Sequence, residues 1–306
     1  MRVLSAARLD RRDFCSGVPV ADTVARRMDY PVNVTNESCL KMYLLSRVMR
    51  TVAVLMCSLL FGSGLWAQAS LDGYARRYLE QPYVEKVLEV SPERLVIDTA
   101  RVDCTTLVEY CLARRMSDAG MGDFRDCVGR LRYREYAAGK TLRYADRLHY
   151  ATEWVAHAEQ LGLVEDVSEE LGGIRAERKI DFMSNHPGSY PALAQAASDP
   201  VAAEDLRIIR DEIEPALSAR PFTYIPKNKI NAMQHRILPG DIILFTTSVK
   251  GLDVSHMAIA YKRADGRMGF IHASSAAGRV IEDARTIADY ALSRASITGI
   301  KVVRPR

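Results

Sequence analysis

Apolar residues recur at helical spacing through the first half of the chain beyond residue 70. Positions three and four apart fall on one face of a helix, so this spacing indicates amphipathic helices. The pattern predicts helices over 71–88, 104–115, 124–136, 148–161 and 201–217. Between them, residues 182–199 are rich in Ser, Asn, Pro and Gly, which predicts a long surface loop at the rim of a cleft.

Short apolar runs bounded by turn residues replace this pattern after Lys227. Such runs are typical of β-strands. They are predicted over 242–245, 256–261, 268–272, 279–282 and 297–303. Helices followed by a meander of antiparallel strands indicate an α+β fold, in which a helical N-terminal half packs on an antiparallel β-sheet.

The first 67 residues have a different pattern. Arg47 and Arg50 precede an apolar run over 51–61, and small residues lead to Ala67. A basic segment, a short apolar segment and a small residue before the cut are typical of a secretory signal peptide. We expect a signal peptide over 42–67, cleavage after Ala67, and an exported, periplasmic protein with no stable membrane span once the signal is cleaved.

Two alternatives to a cleaved signal remain open, an uncleaved membrane anchor and a lipoprotein modified at Cys57. The apolar run is short for a transmembrane helix. Met56 is a poor residue directly before a lipidated cysteine. Residues 1–41 form an upstream extension, either a misassigned start before Met42 or Met49, or a disordered segment. The catalytic domain is then expected over 68–306.

Charge and cysteine content argue against a nucleic-acid-binding protein and against a disulfide-stabilised one. The formal net charge is +4, but residues 1–67 hold nine basic and five acidic side chains, which leaves 33 of each in the rest of the chain. A neutral body gives no support to nucleic-acid binding. Three of the six cysteines lie after residue 67, an odd number without regular spacing. We therefore expect no disulfide framework, and we find no zinc-binding or phosphate-loop motif, so no metal or cofactor is predicted.

Cys104 is the candidate nucleophile because it lies where a helix begins. Free backbone N–H groups and the helix dipole stabilise a thiolate at that position, and the same N–H groups can receive an oxyanion. Asp103 is expected to cap the helix. The alternative is a buried cysteine that only packs, a description that fits Cys111, seven residues later on the apolar stripe.

His256 and His272 are the candidate base and orienting residue. If the intervening turn centres near Ala264, the two residues lie directly opposite each other with Cβ atoms roughly 5 Å apart. One imidazole can then accept the thiol proton while the other holds the first ring in the correct tautomer. A register shift of one residue would place the rings on opposite faces, and two partly buried histidines without catalytic function remain the alternative.

Four segments in this order resemble the NlpC/P60 superfamily of papain-like cell-wall cysteine peptidases. They are Asp103-Cys104-Thr105-Thr106-Leu107-Val108, Pro239-Gly240-Asp241-Ile242-Ile243-Leu244-Phe245, Ser255-His256-Met257-Ala258-Ile259 and Phe270-Ile271-His272-Ala273-Ser274. Further segments resemble the DUF1460 branch of that superfamily. They are Cys104–Glu109, Arg147-Leu148-His149-Tyr150 with Trp154, Phe182–Pro187 and Tyr224-Ile225-Pro226-Lys227. The resemblance covers roughly residues 71–303.

The resemblance implies a papain-like fold and the hydrolysis of peptidoglycan fragments. Common superfamily members cut the D-Glu–diaminopimelate bond, whereas the DUF1460 branch implies an N-acetylmuramoyl-L-alanine amidase that acts on soluble, anhydro-type muropeptides. Thr105 and Thr106 replace the usual Ser-Gly after the nucleophile, which supports the branch and leaves the usual specificity in doubt. The residues themselves support only amide hydrolysis through a thioester.

Five further residues are weaker candidates for contact with substrate, with helix packing or surface contacts as the alternative. They are Arg147, His149, Tyr150, Trp154 and His186. Three other functions stay open from sequence: the D-Glu–diaminopimelate endopeptidase, a catalytically inactive wall-binding module, and acyl transfer to another amine.

Overall fold

The computed structural model of the protein describes residues 70–306, which belong to one compact unit. The extension at 1–41, the signal peptide at 42–67 and the cleavage after Ala67 lie outside the described residues. The helices are α1 Leu71–Arg76, α2 Cys104–Asp118, α3 Phe124–Arg132, α4 Ala151–Gln160, α5 Phe182–Asn185, α6 Pro200–Ile208, α7 Glu214–Ser218, α8 Ile230–Met233 and α9 Ile287–Ser293.

Antiparallel strands form one sheet in the order β2-β3-β8-β4-β5-β6-β7, with β1 also paired to β8. The strands are β1 Val164–Asp166, β2 Ile174–Ala176, β3 Phe222–Pro226, β4 Ile242–Thr247, β5 Val254–Lys262, β6 Met268–Ser274, β7 Arg279–Glu282 and β8 Ile297–Pro305. The α+β architecture predicted from the sequence is thus confirmed. β1–β3 were not predicted; two of them have only three residues, too few to show a periodic pattern.

The sheet separates two apolar clusters because successive side chains on a strand point to opposite faces. On one face, Met257 and Ile259 of β5 pack with residues of α1–α4. On the other face, Ala258 and Ala260 of β5 pack with residues of α8 and α9. His256 has the same parity as Ala258 and Ala260, so its ring lies on the α9 side.

The capping of α2 explains why Cys104 opens a helix. Asp103 is extended at the N-cap, its side chain accepts a 2.8 Å hydrogen bond from Thr106 N, and the Thr106 hydroxyl accepts a 2.8 Å bond from Asp103 N. This reciprocal pair satisfies two backbone donors at the helix start. The predicted packing position of Cys111 is confirmed, since its side chain is fully buried.

Four predicted elements differ from the structure. The helix expected over 124–136 ends at Arg132, and Tyr133 forms a bridge to Arg147. The helix expected over 71–88 ends at Arg76, and Pro82, which lacks a backbone N–H and cannot continue a helix, forms a bridge to β7. A π-helical turn over 209–213 interrupts the helix expected over 201–217. The loop expected over 182–199 contains α5, and its Met183 and Leu193 are buried, so it is not only a surface loop.

The hairpin that carries the two histidines has a different register from the one predicted. Ile259 pairs with Ile271 and Lys262 pairs with Met268, so the turn centres on Asp265, not Ala264. Gly266 has φ +80°, which allows the longer turn. A centre moved by one residue moves each partner by two. His256 and His272 are therefore diagonal rather than directly opposed, and they remain on the same face.

Within residues 70–306, no helix is both long enough and apolar enough to cross a membrane.

Candidate active site

Cys104 lies in the wall of a small cavity between α2, α4 and β5. The cavity has a volume of about 100 Å³, and it is lined by Cys104 and Thr105, by residues 148–151 and Trp154, and by residues 252–257. Cys104 of α2 and His256 of β5 therefore border the same cavity. Within the described part of the chain no hydrogen bond joins the two side chains.

The surroundings of the Cys104 thiol favour its neutral form. Burial, followed by the negative charge of Asp103, raises the pKa of Cys104 to about 11, while hydrogen bonding from Met257 N and from Thr105 acts in the opposite direction. The sequence had suggested a stabilised thiolate; the carboxylate beside it and the surrounding apolar residues outweigh those contributions. The resting group is therefore a thiol.

His256 and His272 form a directly bonded pair of rings. His256 Nε2 lies 2.6 Å from His272 Nδ1, and the ring planes meet at 85°. Both rings pack against Tyr290 of α9, with centroid distances of 6.1 Å and 5.8 Å. Phe270 packs against the His272 ring with centroids 4.9 Å apart, and Phe245 packs against the His256 ring at 5.9 Å.

Both imidazoles are neutral at physiological pH because they are buried. Burial, the neighbouring ring of His272 and the charge of Arg294 lower the pKa of His256 to about 3. Burial lowers the pKa of His272 to about 4, although Asp283 acts to raise it. A neutral His256 has one ring nitrogen free to accept a proton, which is the state a general base requires.

Asp283 continues the line of polar groups, and the sequence analysis did not select it. His272 Nε2 lies 3.3 Å from Asp283 Oδ2, although the angle is too poor for a hydrogen bond, which leaves this buried nitrogen without a formal partner. Arg285 holds both oxygens of Asp283, with bonds of 2.9 Å and 2.7 Å. Burial acts to raise the pKa of Asp283, but the Arg285 hydrogen bonds outweigh it and keep the pKa below its ordinary value.

Tyr83 is a second residue that the sequence analysis did not select. Burial raises the pKa of its phenol, and charge on the nearby Cys104 raises the pKa further. No motif marked either Tyr83 or Asp283. Tyr83 lies in the segment wrongly predicted as helix, and Asp283 follows a strand whose pairing partner could not be identified from sequence.

Three of the five weaker candidates line the Cys104 cavity. His149 Nε2 lies 2.8 Å from the carbonyl oxygen of Tyr144, so this nitrogen carries the proton and Nδ1 is an acceptor. The Tyr150 hydroxyl donates to Glu214 Oε1 at 2.7 Å. Trp154 is 4% exposed, and its indole Nε1–H has no partner among the described residues.

The other two weaker candidates lie away from this cavity. Arg147 is buried, and its guanidinium binds Glu89 at 2.7 Å and Glu93 at 2.5 Å. Arg147 therefore neutralises the two carboxylates in the protein interior, and this role explains its presence without a substrate contact. His186 is exposed, stacks on Phe182 with centroids 4.4 Å apart, and hydrogen-bonds the Phe182 carbonyl through Nδ1.

The wall of the Cys104 cavity contains few acidic groups. Asp253 is the one carboxylate in the cavity wall, and its Oδ2 already accepts hydrogen bonds from Thr152 N and Oγ1 at 2.8 Å and 2.7 Å. These bonds fasten the start of α4 to the start of β5. In the part of the chain that the structure describes, no group of three His, Cys, Asp or Glu side chains is arranged to hold a metal ion.

Solved structures resemble this chain over most of its length. An N-acetylmuramoyl-L-alanine amidase from Bacteroides uniformis is 35% identical, with a TM-score of 0.68 over 78% of this chain and 97% of that one. A Bacteroides fragilis protein named as a candidate xylanase is also 35% identical, with a TM-score of 0.66 over 76% and 99% of the two chains. A Legionella pneumophila protein of the DUF1460 family shares the fold at 18% identity, with a TM-score of 0.56 over 77% and 88%.

A search of curated proteins found no match. Residues 74–297 match the AmiA-like family, described as N-acetylmuramoyl-L-alanine amidase-like. The matched range runs from α1 to the start of β8 and includes Cys104, His256 and His272. The chain therefore belongs to the AmiA-like family of N-acetylmuramoyl-L-alanine amidase-like proteins.

Proposed function

We propose that this protein is a cysteine amidase that hydrolyses the N-acetylmuramoyl-L-alanine bond of peptidoglycan fragments. The observation that carries the proposal is the shared cavity of Cys104 and His256, with His256 bonded to His272, in a chain of the amidase-like family. The substrates are muropeptides, and we propose the soluble anhydro type. The chain is a papain-like member of the NlpC/P60 superfamily in this proposal.

The proposed reaction begins with a neutral pair. His256 Nδ1 accepts the Cys104 proton as the sulfur attacks the amide carbonyl carbon, and the carbonyl oxygen becomes an oxyanion. The N–H groups of Cys104 and Thr105 lie in the first turn of α2, where backbone N–H groups have no acceptor within the helix, and they donate to this charge in the proposed reaction. Collapse breaks the C–N bond, and the leaving amine takes the proton from His256. Water then hydrolyses the thioester with His256 again as base.

One arrangement of protons serves this role. His256 Nδ1 must be free to accept from the thiol, so Nε2 carries the hydrogen and donates to His272 Nδ1 over 2.6 Å. His272 then carries its own proton on Nε2, the nitrogen that lies 3.3 Å from Oδ2 of the ionised Asp283. When His256 becomes positively charged, His272 and Asp283 stabilise it through this chain. Asp283 is thus a positioning residue.

The name of the Bacteroides fragilis relative raises glycoside hydrolysis as another activity. That chemistry ordinarily needs two carboxyl groups about 5–10 Å apart on either side of the bond. The Cys104 cavity offers Asp253 alone, and its oxygens are engaged by Thr152 and Val254 N. The residues around Cys104 therefore favour amide hydrolysis over glycosidic cleavage.

Mass spectrometry of products from defined muropeptides tests the proposal. We expect purified protein to release the muramic sugar and the intact stem peptide, with faster turnover of anhydro- than of non-anhydro-muropeptides. A cut inside the stem would assign the endopeptidase activity, a peptide joined to an added amine would assign acyl transfer, and binding without any cleavage would assign a wall-binding module.

The cysteine mechanism is tested by substitution. Cys104→Ala should abolish release, whereas Cys127→Ala, which removes another thiol remote from the cavity, should leave most activity. Full hydrolysis by Cys104→Ala would exclude the mechanism. We also propose export to the periplasm; N-terminal sequencing of the mature protein should then begin at Gln68, and an intact N-terminus in the cytoplasmic fraction would refute it.

A further inference from the structure

A second cavity lies on the other side of His256, and the proposed chemistry does not yet use it. Its volume is about 180 Å³, below the roughly 300–1,000 Å³ of sites that enclose a drug-sized ligand. His256 and Ser255 line both this cavity and the Cys104 cavity. The two cavities therefore both adjoin His256, and each is placed to receive one half of a substrate that is cut beside His256.

Hydroxyl groups and one permanent charge characterise the second cavity. Its wall contains no carboxylate, and besides the two histidines and the apolar Ala276 and Ile297 it holds six residues. These are Ser255, Ser274, Ser275, Tyr290, Arg294 and Ser296. Within the described residues, the hydroxyls of Ser275 and Ser296 have no hydrogen-bond partner, so both can donate to a ligand.

Arg294 differs from the neighbouring Arg285 in having no acidic partner. Arg285 lies over the Tyr290 ring at 4.6 Å and binds Asp283 through two nitrogens. Arg294 lies over the same ring at 5.3 Å, yet no ion pair or side-chain hydrogen bond engages its guanidinium among residues 70–306. An unpaired guanidinium above donor hydroxyls matches a carboxylate, which accepts two parallel hydrogen bonds from arginine.

We propose that the cavity of Arg294 and the four serines binds a carboxylate of the peptide that the reaction releases. The inference rests on the proposed function, and it assigns the peptide half and the sugar half of the substrate to different cavities. The only carboxyl group of muramic acid is consumed in the bond to be cut, so the sugar half is uncharged, whereas the released peptide always retains a carboxylate. The cationic cavity takes the peptide half, and the sugar half extends over the Cys104 cavity.

The test compares a muramoyl peptide with the same compound in which every carboxyl group is a primary amide. Wild-type protein should have about tenfold higher kcat/KM for the acid, a modest factor because Arg294 is exposed to solvent. Arg294→Gln should remove this preference, measured as the ratio of kcat/KM for the acid to kcat/KM for the amide within the same variant. Arg294→Lys should retain part of it. Arg125→Gln, an exposed arginine on α3 without side-chain partners in the described structure, is the matched control.

A binding measurement separates failure of this inference from failure of the proposed function. Calorimetry in the Cys104→Ala background requires no cleavage, and the acid should bind about tenfold more tightly than the amide until Arg294→Gln is added. Discrimination without any cleavage by the active protein would refute the amidase and retain the carboxylate site. Cleavage with equal use of acid and amide, or discrimination that survives Arg294→Gln, would refute the carboxylate site.

Discussion

His256 and His272 are joined by a 2.6 Å contact between Nε2 and Nδ1, and this contact leaves Nδ1 as the His256 nitrogen that is not engaged by the other ring. One hydrogen lies between the two bonded nitrogens, so the second nitrogen of each ring remains available for another partner. Nδ1 of His256 is left for Cys104, and Nε2 of His272 is left for Asp283. The predictions below depend on this order.

Asp283→Asn should lower kcat by about ten- to a hundredfold with little change in KM, the size of effect seen when a group that orients a ligand or base is removed. The amide can donate to His272 Nε2 and so favours the wrong tautomer. Asp265→Asn, in the exposed hairpin turn and paired with Arg267, is the control. Equal kcat for Asp283→Asn and wild type would remove Asp283 from the mechanism.

Alkylation of Cys104 by iodoacetamide should report a neutral thiol. Burial and Asp103 raise its pKa to about 11, so the thiolate fraction and the labelling rate rise with pH and have no plateau between pH 6 and 8. The rate is followed by mass spectrometry, with Cys104→Ala as the blank. Rapid labelling that is independent of pH in this range would indicate a preformed thiolate–imidazolium pair instead.

Acid should destabilise the fold partly through His272. Its pKa falls from 6.5 to about 4 on folding, so the unfolded chain binds the proton more readily and stability is lost as pH falls below about 6.5. Between pH 7 and pH 4 this lost stability amounts to about 3 kcal/mol. Urea unfolding of wild type and His272→Gln at both pH values measures it, and the difference between the two proteins should shrink by that amount on acidification. A difference that does not change with pH would contradict the shift.

Arg147→Met should destabilise the protein by about 3–5 kcal/mol, because it leaves the buried carboxylates of Glu89 and Glu93 without a counter-charge. KM of the folded fraction should not change, since Arg147 does not line the Cys104 cavity. Arg175→Met breaks an exposed pair with Glu169 and should cost less than about 1 kcal/mol. A raised KM with unchanged stability would instead indicate that Arg147 contacts the substrate.

Trp154→Phe should keep the fold and weaken the substrate complex. The buried indole Nε1–H has no partner in the described structure, so a ligand atom can accept from it at no cost in internal hydrogen bonds. We expect KM to rise about fivefold, the value of a single neutral hydrogen bond of about 1 kcal/mol. Unchanged KM and improved stability would identify the orphaned donor as a structural defect.

The sequence predicted those features that depend on local patterns. The start of α2 at Cys104 follows from Asp103 as a cap and from the apolar stripe that buries Cys111. The strands of the histidines follow from their apolar runs, and the common face of the two rings follows from equal parity, even though the predicted turn centre was wrong.

Features that depend on contacts distant in sequence could not be predicted in this way. Asp283 reaches His272 only because β7 pairs with β6, and Arg294 reaches His256 only because α9 crosses that face of the sheet. The pKa of Cys104 depends on burial by segments far along the chain. Arg147 was a candidate for substrate contact in the sequence. In the structure its guanidinium forms ion pairs with Glu89 and Glu93, which are distant from it in sequence.

Cys104, the proposed nucleophile, lies at the start of α2 in one layer, and His256, the proposed base, lies on β5 with its side chain facing the other layer. The proposed activity therefore depends on how the helical layer that contains α2 packs against the sheet. A small shift of α2 along β5 would separate Cys104 from His256 while the strands remain paired, so turnover should be lost before the far-ultraviolet circular dichroism signal on heating.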